Sequence, residues 1–258
     1  CLRASLQGWR HILAADLFVF HAGEVSFGTG SSPAKQRAAA IIRERYPDYE
    51  ANVADFVRRD PARPWRLALT AARLRRRNQP VILMISHGLG GGVDKHLRDL
   101  AQVLSDEGAR VLIMRSLPGQ PHLAALELVH GADEFTIQIP TGDQARLAEI
   151  IEAFGVSLVH IHHTMHWAID LQALLARLSL PFLFTVHDYY TLCPRVNLMG
   201  QLHSAYCGEP DQNACLECLK ALPRSETTDI FYWRARHAWL FHDALTMICP
   251  SQDTASRC

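Results

Sequence analysis

VILMISHGLGGGVDKHLRDL, residues 81–100, decides the fold. Val81 to Ile85 is an unbroken apolar run, the pattern of a parallel strand buried on both faces. It breaks into His87-Gly88-Leu89-Gly90-Gly91-Gly92. From about Val93 an amphipathic helix follows, with Leu97, Leu100, Ala101 and Leu104 on one face. A strand, a glycine turn and a helix is how an α/β domain opens a phosphate site. Glycines let the backbone approach a ligand, and the helix N-terminus offers unpaired N–H groups at the positive end of the dipole. Gly88, Gly90, Gly91 and Gly92 are therefore candidate ligand-binding positions, Gly90 and Gly91 foremost. Val93 breaks the strict G-x-G-x-x-G fingerprint, and the Lys-Ser/Thr of a P-loop is missing. The competing reading is a tight strand-to-helix turn with no ligand.

Outward from this stretch the pattern alternates. Strands are expected at 110–114, 134–139, 157–162, 182–186 and 244–248. Helices are expected at 93–107, 143–154, 167–178 and 226–242. Such alternation predicts an α/β fold with a mostly parallel sheet covered on both faces, whose ligands sit at the carboxyl ends of the strands. Gly88–Gly92, His162, His163, His187, Asp188 and Ser251 all fall just after strands and should converge on one crevice. Upstream the pattern differs. Trp9 to Leu13 and Leu17 to His21 are short strand-like or loop segments, and residues 34–46 and 49–58 read as helices. Residues 58–77 carry eight arginines and one aspartate. We expect a basic linker over 68–80, more often a solvated helix face than a binding site. Contact with an anionic membrane surface or a nucleic acid is the competing reading of this stretch.

The 258 residues are 48% hydrophobic and 20% charged, with zero formal net charge, so no global field points to nucleic acid. No apolar run reaches the length of a membrane span, and no secretory signal opens the chain, which suggests a cytoplasmic protein. Cys1 and Cys258 at the two ends suggest a piece of something longer. Cys193-x13-Cys207-x7-Cys215-x2-Cys218 packs four of the seven cysteines into 26 residues, inside a polar excursion spanning 191–223. Four thiolates at such spacing suit a tetrahedral structural zinc, and the excursion has few apolar residues to hold itself together. Reduced thiols or disulfides are the alternatives. His160, His162, His163 and His166 are dense enough to raise a metal as well, though strand alternation places only His160 and His162 on one face.

From residue 81 onward the motifs resemble the N-terminal half of a family 4 retaining glycosyltransferase. The strand with GLGGGVDKHLRDLA, LVHIHH, FTVHDYYTLCPR, the cysteine excursion and a strand ending CPS occur in order. The resemblance implies the first Rossmann-like domain of a GT-B fold over 81–258. That domain mainly binds acceptor and lends its glycine loop to the diphosphate of a nucleotide-sugar donor. A C-terminal donor-binding domain would lie beyond Cys258. The resemblance implies His187 and Asp188 as catalytic, with His187 against the reacting sugar. It implies Gly88, Gly90, Gly91 and Gly92 as contacts to the diphosphate or acceptor and chemistry that needs no metal, which favours sugar or acceptor contacts for His162 and His163; Ser251 is a further candidate from its place after the last strand. Residues 1–67, with CLRASLQGWRHILAADLFVFHAGEVSFG, RYPDY and DPARPWR, resemble the tail of a family 2, GT-A type glycosyltransferase, with His21 at the position of a metal-reaching histidine. Together these suggest sugar transfer to a saccharide or lipid-linked acceptor in cell-surface polysaccharide synthesis, at the inner face of the membrane. A non-catalytic glycan- or protein-binding module with a zinc-stapled loop is the alternative. A nucleotide-dependent oxidoreductase is disfavoured, because Met114-Arg115-Ser116 stands where an acidic residue should end the second strand.

Overall fold

The computed structural model describes the whole chain except residues 1, 13, 15, 16, 18, 21–30, 130–133, 201–204, 222–226 and 228. Contacts divide it into two units, 1–62 and 63–258. In the first unit the described residues form α1 (Leu2–Leu6), α2 (Ser31–Arg45) and α3 (Tyr49–Arg59). Arg43 and Glu50 pair at 2.7 Å between α2 and α3. Asp60 takes a left-handed conformation, with φ of 43°, and ends α3. The described residues of 9–20 carry no strand, and His21 lies outside the described residues.

The second unit opens with α4 (Arg63–Arg76). The 68–80 linker expected above is a structured part of this unit. Leu67, Ala71 and Leu74 lie on one helical face and are buried in the core, while Arg75 reaches the Glu152 carbonyl at 3.4 Å. After α4 come β1 (Val81–Ser86), α5 (Gly91–Asp106), β2 (Arg110–Ser116), β3 (Leu123–Val129), β4 (Phe135–Pro140), α6 (Gln144–Ala153), β5 (Val156–Ile161), α7 (Leu171–Leu178) and β6 (Phe182–Thr185). The unit ends with α8 (Gln212–Lys220), α9 (Ile230–His237), α10 (Trp239–His242), β7 (Thr246–Ile248) and α11 (Gln252–Arg257). The sheet order is β4-β3-β2-β1-β5-β6-β7. The run from β2 to β7 is parallel, and β3 and β4 add an antiparallel edge. This is the Rossmann-like, mostly parallel α/β sheet that the alternation predicted. β3 was not foreseen.

Side-chain alternation sorts the core. Leu83 and Ile85 join Leu112, Met114 and the residues of α4, α6 and α7 on one face. Met84, Val111 and Ile113 meet Leu97 and Ala101 of α5 on the other. β1 is buried throughout apart from partial exposure at Ile82. From β1 the chain moves first to β2 on one side and later to β5 on the other. The carboxyl ends of β1 and β5 therefore flank the point where strand order reverses, the place where open α/β sheets bind ligands.

Candidate active site

The glycine turn is shaped by two different demands. A Cβ at Gly88 would lie 2.3 Å from the Ser116 carbonyl oxygen, so the turn must pass close to the end of β2. Gly90 and Gly91 have φ of 73° and 79°, a left-handed backbone that glycine adopts without strain. At Gly90, Gly91 and Gly92 an added Cβ would meet nothing within 4 Å, so the backbone here faces open space. α5 starts at Gly91, two residues earlier than expected, and its N-cap Gly90 offers no side chain to its first N–H groups. The one acidic residue of that first turn, Asp94, is neutralised. Arg115 of β2 donates to Asp94 at 2.6 Å and to Glu127 of β3 at 2.7 Å, and Arg98 bonds both carboxylates. Burial pushes the Asp94 carboxyl up, but Arg115 and Arg98 outweigh it and hold it below the usual range. The positive end of α5 is thus open to an anionic ligand.

The turn is bracketed by two histidines, and both pack on the cluster that follows β5 and β6. His87, just before Gly88, meets the ring of His163 edge-on at 4.6 Å. His96, on the second turn of α5, lies 4.9 Å from the ring of His187 and 5.5 Å from that of His162. His162 Nδ1 and His187 Nε2 share a hydrogen bond of 3.0 Å. His160 stands in register with Met84, on the face that α5 covers, and bonds Thr185 Oγ1 at 2.8 Å. The turn and the histidines form one site at the strand ends.

Hydrogen bonds fix what each group can do. His163 Nδ1 accepts from the Met165 N–H at 3.1 Å, so Nε2 carries the proton and donates it to Asp188 Oδ2 at 3.2 Å. Asp188 Oδ1 accepts from the Tyr190 N–H at 2.8 Å. Burial raises the Asp188 carboxyl, yet the bond from His163 and the Tyr190 N–H bring it below its ordinary value. Both nitrogens of buried His163 are engaged within the protein. Its Nε2–H bond positions Asp188, and Asp188 in turn braces the turn after His187. His162 has its Nε2 buried with no hydrogen-bond partner. An orphaned N–H is rarer than an orphaned acceptor, so the proton belongs on His162 Nδ1, donated to His187 Nε2. His187 then carries its own proton on Nδ1, a donor that no described residue accepts.

His87, His160, His162 and His187 are held neutral at neutral pH. Burial, then the neighbouring His96 and His163, lowers His187 to about 4. Burial, then His96 and His187, lowers His160 to about 4. Burial lowers His162 further, with His160 next in effect, and burial and His163 lower His87. Nitrogens of His96, His162 and His187 lie within 4.8 Å of one another. The 3.0 Å separation of one pair is near the roughly 3.3 Å edge that a tetrahedral ion with nitrogen ligands at about 2.0–2.1 Å requires. This trio could hold a transition ion. The metal considered above for His160, His162, His163 and His166 is not served by that set, since His163 is fully engaged and His160 is bound to Thr185.

Ser251 caps α11, its Oγ accepting from the Thr254 N–H at 3.1 Å. α11 is tied to the turn after His187 through Tyr189, whose hydroxyl donates to Asp253 at 2.8 Å. Beside the histidines a larger cavity of about 580 Å³ runs between α7 and α9, with Thr164, Trp167, Asp170, Tyr190, Tyr232 and Arg236 on its walls. Tyr190 also packs on His163 at 4.8 Å, joining this cavity to the site. His96 and this aromatic cavity were missed in the sequence. His96 was visible only as a polar residue of the helix that starts at the glycine turn.

The sequence model of glycosyltransferase family 4 matches residues 90–258. The chain belongs to glycosyltransferase family 4. No curated protein and no solved structure matches it significantly. Family membership implies a glycosyltransferase-like activity, and the matched region contains the glycine turn from Gly90 onward, the site histidines other than His87, and the cysteine excursion. Among the described residues no helix is long and apolar enough to cross a membrane.

Proposed function

We propose that the chain supplies the acceptor-binding half of a retaining glycosyltransferase that moves a sugar from a nucleotide diphosphate to a saccharide or lipid-linked acceptor, in cell-surface polysaccharide synthesis at the cytoplasmic face of a membrane. The observation that carries this reading is the glycine turn bracketed by His87 and His96, both packed on the His163 and His187 cluster. The open backbone at Gly90 to Gly92 and the N-terminus of α5 take the diphosphate. His187, held by His162, presents its Nδ1–H to an oxygen of the reacting sugar. Asp188 and His163 keep that turn in place. The cavity lined by Trp167, Tyr190 and Tyr232 suits an acceptor sugar, because aromatic faces cover its apolar ring while Asp170 and Arg236 meet its hydroxyls. The protein's work is positioning and electrostatic stabilisation of the departing diphosphate.

In the same reading a second Rossmann-like domain follows and binds the nucleotide, so this piece alone does not turn over. The first unit, residues 1–62, is then the tail of a family 2 catalytic domain, five residues shorter than the sequence motifs suggested because α4 starts at Arg63. The exposed Val53, Phe56 and Val57 of α3 support that, as a surface made to pack against more protein. The test is nucleotide release by the complete protein across a panel of nucleotide sugars. His187→Ala should lower turnover about tenfold or more. Wild-type turnover in that variant removes His187 from the site.

A further inference from the structure

Cys193, Cys207, Cys215 and Cys218 line one cavity of about 230 Å³, away from the histidines. Three local structures bring them there. Cys193 closes a turn, its N–H bonding the Tyr189 carbonyl at 2.9 Å. Cys207 returns alongside Leu198, whose carbonyl accepts its N–H at 2.9 Å, next to the Met199–Tyr206 bridge. Cys215 and Cys218 sit three residues apart on α8, hence on one face, and Asp211 caps that helix. All four are unpaired, half-buried thiols.

A second observation concerns charge. Arg195 is 8% exposed, and its guanidinium donates to Cys218 Sγ at 3.0 Å and to the Cys218 carbonyl at 3.0 Å. Among the described residues no carboxylate pairs with it. A buried guanidinium is best matched by an anion, and the group that its Nε meets is the Cys218 sulfur, which becomes anionic as a thiolate. The hydrophobic effect does little to hold this segment. Among the described residues of 191–221 the only buried apolar side chains are Leu198 and Leu219.

We propose that the four thiolates bind a structural zinc ion, with Arg195 as the counter-charge to the anionic cluster. Zinc–sulfur bonds of about 2.3 Å set a sulfur–sulfur edge near 3.8 Å. Among the described residues only the histidine trio has three ligand atoms within 4.8 Å of one another, so the thiols draw inward on the ion. All four positions are filled by protein, which leaves none for substrate and makes the role structural. The ion ties the hairpin and α8 to the turn that starts at Tyr189, directly after His187 and Asp188. The assignment stands whether or not the histidines transfer sugar.

The test uses the full chain, purified reduced and without chelator, with zinc measured by elemental analysis and released zinc followed with a chromophoric chelator. About one zinc per chain is expected in the wild type, in Cys249→Ser and in His96→Ala, falling below about a tenth in Cys215→Ser/Cys218→Ser. Cobalt taken up by the wild type should show sulfur-to-metal charge transfer, a readout that does not depend on a variant folding. Arg195→Ala should weaken zinc binding about tenfold. Zinc that is lost in His96→Ala and kept in the cysteine variant overturns the proposal. So do two disulfides in the fresh protein, iron in place of zinc, or a reduced wild type that takes up no metal.

Discussion

Lowering the pH from 7 to 5 should destabilise the second unit by an amount that the histidine cluster determines. His160 has an ordinary value of 6.5, and burial with repulsion from His96 and His187 lowers it to about 4 in the folded protein. Between those values the unfolded chain binds a proton that the folded one refuses. Stability therefore rises with pH through this window and is lost as pH falls through 6.5 toward 4. Integrated from pH 7 to pH 5, one such histidine costs about 2 kcal/mol. His162 is held lower still, so it adds a similar amount, and the two together reach roughly 3–4 kcal/mol against a typical total of about 5–15 kcal/mol. His187 is more exposed and adds less after solvent screening. Asp94 and Asp188, with lowered values, lose their contribution only below the ordinary carboxylate range and are silent here. Urea unfolding at pH 7, 6 and 5 measures the slope directly. His160→Gln should keep a polar partner for Thr185 and recover about 2 kcal/mol of the loss at pH 5. A wild-type loss below about 1 kcal/mol, or an identical slope in His160→Gln, refutes the argument. A fall shared by both chains has another source, such as zinc leaving protonated thiols.

Two further substitutions probe the glycine turn and its support. Gly88→Ala places a methyl 2.3 Å from a backbone carbonyl and should cost about 2 kcal/mol in thermal unfolding, whereas Gly92→Ala meets nothing within 4 Å and should change stability by no more than about 0.5 kcal/mol. Equal effects would mean the close approach to β2 is not a constraint. Arg115→Ala leaves Asp94 and Glu127 bridged only by the more exposed Arg98 and should cost about 1 kcal/mol by urea unfolding, with a smaller loss in high salt. A neutral result would show that the Arg98 bridge alone satisfies the two carboxylates.

The central strand and its glycine turn were legible because their signals are local: an apolar run, then residues that only a tight, close-packed turn requires. The convergence of Gly88–Gly92, His162, His163, His187 and Asp188 was legible for a topological reason, since every strand involved is parallel and ends at the same edge. What was hidden depended on partners. Leu123-Ala-Ala-Leu-Glu-Leu-Val favours helix by propensity and becomes β3 because β2 and β4 pair with it on both sides. Arginines obscured the Leu67, Ala71, Leu74 stripe that seats α4 on the core. The residue types around His187 were readable, but their roles were not. A hydrogen bond from Met165 N–H is what fixes the His163 proton on Asp188, and a buried, unpartnered Nε2 is what turns His162 toward His187. His96 belongs to the polar side of α5 by periodicity, and only the position of that helix over the ends of β5 and β6 brings it into the site. Sequence thus located the chemistry at the strand ends, while the division of labour there follows from which nitrogen each neighbour leaves free.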